Sequence, residues 1–428
     1  MEIKDIHSLF LACKSVSIDT RKIENNSMFV AIKGERFDAN TFAKEALEKG
    51  ASYVIIDNSD YYIDERTILT EDSLTTLQEL AKFHRDYLKL PIIALTGSNG
   101  KTTTKELINV VLSKRYKVKA TVGNLNNHIG VPLTLLSFNN RTEIGIVEMG
   151  ANHQKEIEFL CGIAKPDFGY ITNFGKAHLE GFGGFEGVIK GKSEMYTYLS
   201  ENKKIAFVNL DDALQVEKTE GIERYTFGTK AKDTNVIIDS VKADPFVGIK
   251  IQGIEINSHL IGIYNANNIN AAMTIGNYFK VDTNDIKDAI ENYIPENNRS
   301  QLLKKNTNAI ILDAYNANPS SMTVALENFM QLEIPKKTAI LGDMFELGNE
   351  SLEEHKSIVT LALKNENTQF YFIGKDFYAN RIDNDNMFFF ETFEGLANEL
   401  TEHKIENATV LIKGSRGMAL ERSLDFLP

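Results

Sequence analysis

The sequence predicts an α/β protein built on doubly wound parallel sheets, and three observations support this prediction. Short, continuous apolar runs recur along the chain, which is typical of parallel strands that are covered on both faces. Stretches with helical periodicity separate these runs, and a regular alternation of strand and helix favours a doubly wound sheet. The chain has 428 residues, so at roughly 150 residues per domain we expect about three domains.

The N-terminal part of the chain forms the first predicted unit. Ser27–Ile32 and Tyr53–Ile56 are apolar runs of strand length, and Leu74–Leu88 is a charged helical stretch that ends shortly before Pro91. These short elements predict a small N-terminal α/β domain at residues 1–88.

The second unit begins with Pro91–Thr96, whose continuous apolar pattern predicts a buried strand. The helix predicted next, Thr103–Arg115, places Leu107 and Val111 at i, i+4 spacing and has two cations in its last turn, where the helix dipole favours them. Further strands of this sheet are predicted at Ile144–Val147, Phe168–Ile171 and Ile205–Val208.

A polar, proline-containing stretch marks the second boundary. It covers Tyr293–Asn298 and follows a helical pattern over residues 283–292. We therefore predict a central domain at residues 89–295 and a C-terminal domain at residues 296–428. The strands predicted for the C-terminal domain are Ala309–Leu312, Thr338–Leu341, Phe370–Ile373 and Thr409–Ile412.

Charge and composition exclude several classes of protein. Lys and Arg number 47 against 59 Asp and Glu, and the net charge of −12 argues against a general nucleic-acid or anionic-membrane binder. The two cysteines, Cys13 and Cys161, lie far apart, which argues against a disulfide framework or a structural zinc site. The sequence has neither a signal peptide pattern nor an apolar run of about 20 residues, the length that spans a membrane. We expect a soluble, cytoplasmic protein without a membrane span or a nucleic-acid partner.

The segment Leu95–Thr104 has the composition of a phosphate-binding loop. It lies between a predicted buried strand and an amphipathic helix, where backbone N–H groups can surround an anion. Gly97 and Gly100 allow the main chain to approach a ligand closely. Lys101 can reach β- and γ-phosphates, and the Thr102 hydroxyl is placed to bind Mg²⁺. The loop is a shortened variant, since a leucine replaces the first glycine of the strict pattern; a tight turn rich in small residues is the alternative.

Polar residues that follow the predicted strands are further candidates, because ligands of open α/β sheets bind beyond the carboxyl ends of the strands. Glu148 follows the second predicted strand of the central domain and is the expected second protein ligand of a nucleotide-bound Mg²⁺. His178 lies past the next strand, and an ordinary surface histidine is its alternative. Lys192, at the predicted start of a helix, is interpreted from the residues alone as a solvated lysine. Asn209 and Asp211–Asp212 either contact a nucleotide or cap the following helix.

These and other motifs resemble those of the Mur ligases, and the resemblance covers nearly the whole chain. The segments that carry it are Ser17–Arg21, Phe29–Asp38, Thr96–Thr103, Gly123–Thr134, Glu148–Ala151, Ala177–Glu180, Asn265–Asn268, Asp313–Pro319, Leu341–Gly348 and Lys413–Arg416. The resemblance implies a small N-terminal α/β domain that binds the UDP end of the substrate. It also implies a central P-loop ATPase-like parallel sheet and a C-terminal Rossmann-like domain.

The activity implied by the resemblance is ATP-dependent amide formation in peptidoglycan precursor synthesis. The segments Tyr315–Pro319 and Leu341–Gly348 resemble the family member that joins D-alanyl-D-alanine to the terminal carboxylate of UDP-N-acetylmuramoyl-tripeptide through an acyl phosphate. ATP and Mg²⁺ are the implied cofactors, and we expect a monomer. Another amino-acid-adding Mur ligase or a polyglutamate-type ligase, which would lack Tyr315–Pro319, is the first alternative. A P-loop switch that hydrolyses ATP to move is the second.

The resemblance also assigns residues to each ligand. Those matched to the UDP-linked substrate or the dipeptide are Asp19, Thr20, Arg21, Lys33, Gly34, Phe37, Asp38, Asn124, Asn126, Asn127, His128, Tyr315, Asn316 and Asn318. Those matched to the nucleotide are Thr96, Gly97, Ser98, Asn99, Gly100, Lys101, Thr102, Thr103, Asn265, Asn268, Arg299 and Asp313. Those matched to catalysis are Lys101, Glu148, His178 and Lys192, and those matched to the metal are Thr102, Glu148, His178 and Lys192.

Lys192 matches a lysine that the family carbamylates, which would turn a cation into a ligand with carboxylate-like oxygens. Three positions depart from the family pattern. Asn40 and Tyr264 stand where histidines are usual, and Asn298 stands where a glycine usually precedes the arginine. We expect an altered substrate contact at Asn40 and slightly altered nucleotide geometry at the other two positions.

Overall fold

A computed structural model describes residues 1–230, 234–296 and 298–428 and has the predicted α/β fold with parallel sheets. The helices are α1 (Ile3–Leu11), α2 (Ala43–Glu48), α3 (Ser73–Leu88), α4 (Lys101–Leu112), α5 (Gly130–Ser137), α6 (Glu156–Ala164), α7 (Leu179–Phe182), α8 (Phe185–Glu201), α9 (Ala213–Lys218), α10 (Ala266–Tyr278), α11 (Thr283–Glu291), α12 (Pro319–Gln331), α13 (Ser351–Ala362), α14 (Lys375–Ala379) and α15 (Phe393–Glu402).

The strands form one sheet in each of the three predicted units, together with smaller antiparallel pieces. They are β1 (Ser15–Ser17), β2 (Ser27–Val30), β3 (Lys33–Gly34), β4 (Phe37–Asp38), β5 (Ala51–Ile56), β6 (Thr67–Leu69), β7 (Ile92–Thr96), β8 (Val118–Ala120), β9 (Ile144–Glu148), β10 (Phe168–Ile171), β11 (Ile205–Asn209), β12 (Glu223–Gly228), β13 (Val236–Ile237), β14 (Ser240–Ala243), β15 (Phe246–Ile251), β16 (Ile254–Ile261), β17 (Gln301–Lys305), β18 (Asn308–Asp313), β19 (Lys337–Gly342), β20 (Thr368–Ile373), β21 (Met387–Phe390) and β22 (Thr409–Lys413).

The central sheet is parallel, in the order β13-β12-β11-β10-β7-β9-β8. Because successive strand residues point to opposite faces, Ile92 and Ala94 of β7 join one core while Ile93 and Leu95 join the other. Helices α4 and α10 contribute to the second core, and α3, α5, α6 and α8 to the first. Both faces are covered, which explains why the strands are continuously apolar and confirms the doubly wound prediction.

The strand order places the candidate residues together. Strand β7 lies between β9 and β10, so the phosphate loop after β7, the end of β9 at Glu148 and the loop after β10 share one edge of the sheet. The order of the strands reverses at this point, which is where open α/β sheets bind ligands.

Two further sheets flank the central one. The N-terminal sheet is parallel in the order β1-β2-β5-β6, with the hairpin β3-β4 beside it. The C-terminal sheet has the order β17-β18-β22-β19-β20-β21, parallel except for the antiparallel edge pair of β17 and β18. We retain 1–88, 89–295 and 296–428 as our proposed division; helix α3 ends at Leu88 and β17 begins at Gln301.

The structure differs from the sequence prediction in three places. The antiparallel sheet β14-β15-β16 was not predicted; along β16, buried residues alternate with exposed or partly exposed ones instead of forming a continuous apolar run. Helix α4 covers Lys101–Leu112 instead of the predicted Thr103–Arg115, so the two cations predicted for its last turn, Lys114 and Arg115, lie after the helix. Lys192 lies in the middle of α8 and not at the start of a helix. Among the described residues, no helix is both long and apolar enough to cross a membrane.

Candidate active site

A cavity of about 1090 Å³ lies between the carboxyl edge of the central sheet and the C-terminal sheet. Most of the candidate residues of these two sheets line it. They are Ser98, Asn99, Gly100, Lys101, Thr102, Thr103, Asn124, Asn126, Asn127, His128, Glu148, His178, Asn265, Asn268, Arg299, Asp313, Tyr315, Asn316 and Asn318. Residues from distant parts of the sequence thus form a single site.

The phosphate loop forms the floor of the cavity, and its glycines are required by the geometry. Gly97 has a φ of +143°, and a Cβ added there would lie 1.9 Å from Thr172 Oγ1. Gly100 has a φ of +78° and precedes α4, where helix N-terminal N–H groups favour an anion. The Nζ of Lys101 donates to the carbonyls of Gly97 at 2.7 Å and Ser98 at 3.3 Å. Burial lowers the pKa of Lys101, and the charge of an arginine across the cavity lowers it further, while Glu148 opposes this.

Glu148 has three hydrogen-bond partners, of which Thr102 and Thr121 are buried and Asn126 is partly buried. Its Oε2 accepts from the Thr102 hydroxyl and its Oε1 from the Asn126 amide, both at 2.9 Å, and its backbone N–H donates to Thr121 Oγ1 at 3.0 Å. Lys105, which is fully buried, donates from Nζ to the Thr121 carbonyl at 2.6 Å. The carboxylate is therefore fixed beside the loop hydroxyl before any ligand arrives.

A pair of asparagines joins α10 to the phosphate loop. Asn268 Oδ1 accepts from the hydroxyl of Thr104 at 3.0 Å, and Asn268 Nδ2 donates to Asn265 Oδ1 at 2.8 Å. Asn265 in turn donates to the carbonyl of Ile261 at 2.8 Å. A Cβ at Gly100 would lie 2.5 Å from Asn268 Oδ1, so the loop and the asparagine pair fit closely.

The opposite wall comes from the C-terminal sheet. The guanidinium of Arg299 lies 3.6 Å from the ring centroid of Tyr315, and its buried Nε has no hydrogen-bond partner among the described residues. Asp313 accepts from Lys413 Nζ at 2.6 Å and from the Ser300 backbone N–H at 3.2 Å. This wall therefore contributes a cation that is stacked on an aromatic ring.

The structure shows the conformation or contacts of the three residues that depart from the family pattern. Asn298 has a φ of 56°, a conformation that asparagine tolerates better than most residues, so it can replace the expected glycine. Tyr264 lines the cavity and its hydroxyl contacts Ser300 Oγ at 3.0 Å. Asn40 is buried and donates from Nδ2 to the carboxylates of Asp38 and Asp57, both at 2.7 Å.

His178 lies directly before α7, whereas Lys192 lies in α8 and is not among the residues that line the cavity. His178 lines the cavity, and its Nδ1 contacts Glu346 Oε2 of the C-terminal sheet. Lys192 is buried, contrary to the interpretation of a solvated lysine, and its Nζ lies 5.2 Å from the Phe182 ring centroid. Burial lowers the pKa of Lys192 well below its ordinary value, and the charge of Lys101 lowers it further.

The remaining candidates lie outside the residues that line the cavity. Thr96 and Gly97 lie at the end of β7 and directly after it. Those of the N-terminal unit are Asp19, Thr20, Arg21, Lys33, Gly34, Phe37 and Asp38. Hydrogen bonds from Arg21 lower the pKa of Asp19 to about 2. Asp212 caps α9, so the capping alternative is confirmed for that residue, whereas Asn209 accepts from the backbone N–H of Asp211 and does not cap the helix.

Sequence reasoning missed several residues that line the cavity. Asn173 and Gly175 follow β10; Asn173 Oδ1 accepts from the Asn99 backbone N–H at 3.0 Å, and Gly175 O accepts from the Ser98 hydroxyl at 2.8 Å. The strand-end rule that selected Glu148 applies equally to this position. The others include Asn152, Gln154, Lys155, Glu156, Phe159, Ser300, Ser320, Ser321, Val324 and Lys413, whose positions depend on the packing of distant elements.

Three families match successive parts of the chain. They are the Mur ligase family, catalytic domain (residues 13–85), the Mur ligase middle domain (residues 95–276) and the Mur ligase, glutamate ligase domain (residues 298–416). A protein of Bacillus subtilis (strain 168) named UDP-N-acetylmuramoyl-tripeptide--D-alanyl-D-alanine ligase is 35% identical over 95% of this chain and 91% of its own. The Escherichia coli (strain K12) protein of the same name is 33% identical over 95% of this chain and 92% of its own.

Solved structures of the same kind share the fold. A crystal structure of MurF from Acinetobacter baumannii superposes with a TM-score of 0.86 at 28% identity, covering 99% of this chain and 98% of the other. The MurF ligase of Thermotoga maritima in complex with ADP gives a TM-score of 0.83 at 27% identity, covering 97% of both chains. The family models match successive parts of the chain, and solved structures of family members share its fold. The chain therefore belongs to the Mur ligase family.

Proposed function

We propose that the chain is an ATP-dependent ligase that joins D-alanyl-D-alanine to the terminal carboxylate of UDP-N-acetylmuramoyl-tripeptide in peptidoglycan precursor synthesis. The observation that carries the proposal is the shared cavity, in which the phosphate loop and Glu148 face Tyr315, Asn316 and Asn318 of the C-terminal sheet. Relatives that carry this activity in their names match nearly the full chain. We propose that the protein acts in the cytoplasm as a monomer.

The proposed reaction has two steps. The γ-phosphoryl group of ATP passes to the tripeptide carboxylate, because a carboxylate is a poor acyl donor without a leaving group. The amine of D-alanyl-D-alanine then attacks the acyl phosphate, an amide forms, and phosphate leaves together with the ADP of the first step. Lys101 would move from its carbonyl partners to the β- and γ-phosphates and stabilise the transferring group.

The oxygen atoms beside the phosphate loop are suitable ligands for Mg²⁺. The Thr102 hydroxyl and the Glu148 carboxylate are in contact at 2.9 Å, and magnesium prefers such hard oxygen ligands next to nucleotide phosphates. His178 and a carbamylated Lys192 would hold a second ion. Bound magnesium would offset the repulsion between anionic oxygens during phosphoryl transfer.

Carbamylation of Lys192 would join its neutral amine to CO₂, forming an N–C bond and releasing one proton to solvent. The burial that lowers the pKa of Lys192 favours the neutral amine that this reaction needs. The carbamate would carry the opposite charge to the ammonium and offer oxygen ligands.

The nucleotide and the UDP-linked substrate would occupy different regions. Asn265, Asn268, Arg299 and Asp313 would surround the nucleoside part of ATP, with the unused Arg299 Nε available as a donor. The UDP end would bind the N-terminal unit through Asp19, Thr20, Arg21, Lys33, Gly34, Phe37 and Asp38. The peptide would extend past Asn124, Asn126, Asn127 and His128 towards the phosphate loop.

Coupled ADP release tests the proposal. The purified protein should release ADP when ATP, Mg²⁺, UDP-N-acetylmuramoyl-tripeptide and D-alanyl-D-alanine are all present, and be nearly silent when the dipeptide is omitted. Equal turnover with free D-glutamate, meso-diaminopimelate or L-lysine in place of the dipeptide would favour another amino-acid-adding ligase. Rapid ATP hydrolysis without any peptide substrate would favour a P-loop switch.

A further inference from the structure

Two loops from different sheets meet beside His178. The loop after β10 carries His178, and the loop after β19 carries Glu346, whose Oε2 contacts Nδ1 of the imidazole. The backbone N–H of Glu180 also donates to the Glu346 carbonyl at 3.2 Å. A histidine that lines the cavity is thereby tied to the C-terminal sheet through both side-chain and main-chain contacts.

Both residues of this contact have left-handed backbones. The φ angle is 53° at His178 and 62° at Glu346, values that are uncommon for residues other than glycine. Such conformations persist where surrounding contacts impose them, and they concentrate at functional sites. Gly348, two residues further on, has a φ of 55°, and a Cβ there would lie 3.3 Å from the Glu180 Cβ. The two loops are closely fitted at this point.

We propose that Glu346 is a positioning residue that holds the His178 ring with Nε2 available to the cavity, so that this part of the site is complete when the C-terminal sheet is docked. A carboxylate accepts hydrogen bonds and cannot donate them, so the contact fixes the proton of the neutral imidazole on Nδ1. Nε2 then keeps its lone pair for a ligand, as in histidines that bind metals. The inference rests on the proposed function for the identity of that ligand, but the ring tautomer does not depend on it.

A neighbouring contact makes it possible to distinguish docking of the C-terminal sheet from orientation of the His178 ring. Lys176, on the same loop as His178, pairs with Glu354 of α13, and its backbone N–H donates to Ser320 Oγ at 2.8 Å. The carboxylates of Glu354 and Glu346 both connect this loop to the C-terminal sheet, but it is Glu346 that contacts the imidazole. Replacing Glu354 therefore weakens docking without removing the partner of the ring.

Steady-state kinetics of matched variants of the full chain is the first test. Glu346→Ala should lower kcat about 10- to 100-fold, the range found when a partner of a metal-binding histidine is removed. Glu354→Ala, which removes an ion pair whose lysine is 46% exposed and whose carboxylate does not contact the imidazole, should change kcat less than about 3-fold. Glu346→Gln should keep most of the activity, because its amide oxygen still accepts from Nδ1–H. Equal losses in Glu346→Ala and Glu354→Ala would overturn the proposal, since docking alone would then explain both.

The ring tautomer is the second test and does not require a functional enzyme. Nitrogen NMR of the ¹⁵N-histidine-labelled protein, with the His178 signal assigned through a His178→Gln variant, should show Nδ1–H in the wild type and in Glu354→Ala. Glu346→Ala should shift His178 towards Nε2–H. An unchanged tautomer in Glu346→Ala would overturn the inference. A shifted tautomer in a protein without ligase activity would support the inference while contradicting the proposed function.

Discussion

The two sides of the cavity are held in different ways. On the Glu148 side, the carboxylate is 2% exposed, and its partners Thr102, Asn126 and Thr121 belong to the central sheet and its connections. On the His178 side, the imidazole contacts Glu346 of the C-terminal sheet, whose side chain is 53% exposed. The Glu148 side is therefore built by folding of the central sheet alone, whereas the His178 side depends on contacts between sheets. Substitutions on the first side should affect chemistry directly, and substitutions on the second should depend on domain docking.

The largest effect is expected at Glu148. Glu148→Gln keeps the shape of the side chain but removes its charge, so the proposed magnesium ligand is lost while Thr102 can still donate to the amide oxygen. We expect kcat to fall by about 1000-fold, the upper end of the range for removal of a transition-state electrostatic partner. Small-angle scattering should be the same as for the wild type, because the Glu148 side does not dock the domains. Near-normal turnover would contradict the role of Glu148.

A smaller loss is expected at Lys192, which lies on the His178 side. Lys192→Ala should lower ligase activity about 100-fold, while ATP binding through Lys101 persists in equilibrium binding measurements. Acetate should restore part of the turnover, because a small carboxylate can supply the oxygens that the carbamate would have offered. Activity close to that of the wild type would mean that Lys192 is a structural buried lysine.

The next prediction concerns the hydrogen bond between Thr121 and the backbone of Glu148. Thr121→Val removes the oxygen that accepts from the Glu148 backbone N–H, leaving a buried donor without a partner, at a cost of about 1–3 kcal/mol of unfolding free energy. We expect about a 10-fold loss of kcat, because one of the three contacts that fix Glu148 is lost while those from Thr102 and Asn126 remain.

Thr274→Val provides the matched control, since the Thr274 hydroxyl is equally buried but donates to the Asn270 carbonyl within α10. It should leave kcat unchanged. Equal kinetic losses in the two variants would show that general stability, and not the position of Glu148, limits turnover.

The same comparison explains what could be predicted from the sequence. Residues on the Glu148 side can be predicted from local sequence patterns. A buried strand, a glycine-rich turn and a polar residue at the next strand end identify Gly97, Gly100 and Glu148. The contacts on the His178 side cannot be predicted in this way. The sequence around Lys192 does not indicate that this residue is buried, and the sequence around His178 does not indicate that Glu346 contacts it. Such contacts depend on how distant elements pack.

The smallest effect is expected at a histidine pair that lies outside both sides of the cavity. It concerns the loss of folding stability in acid, which must be separated from any loss of activity in acid. His7 of α1 and His84 of α3 are buried, with His7 Nε2 3.0 Å from His84 Nδ1 and His84 Nε2 3.0 Å from the Phe138 carbonyl. The rings of Phe10 and Tyr87 pack around His7. Burial, followed by the charge of His84, lowers the pKa of His7 from 6.5 to about 4.

The linkage between proton binding and folding sets the direction in which stability changes with pH. Between pH 6.5 and about 4 the unfolded chain binds a proton that the folded chain does not, so stability falls as the pH is lowered through this window. The total loss should be on the order of 1–3 kcal/mol. His7→Gln, which can still donate to His84 Nδ1 but does not titrate, should show a shallower fall in thermal midpoint between pH 6.5 and 4.5 while kcat at neutral pH is unchanged. Parallel curves for the two proteins would show that other groups cause the acid sensitivity, and activity lost below pH 6 could then be assigned to the cavity itself.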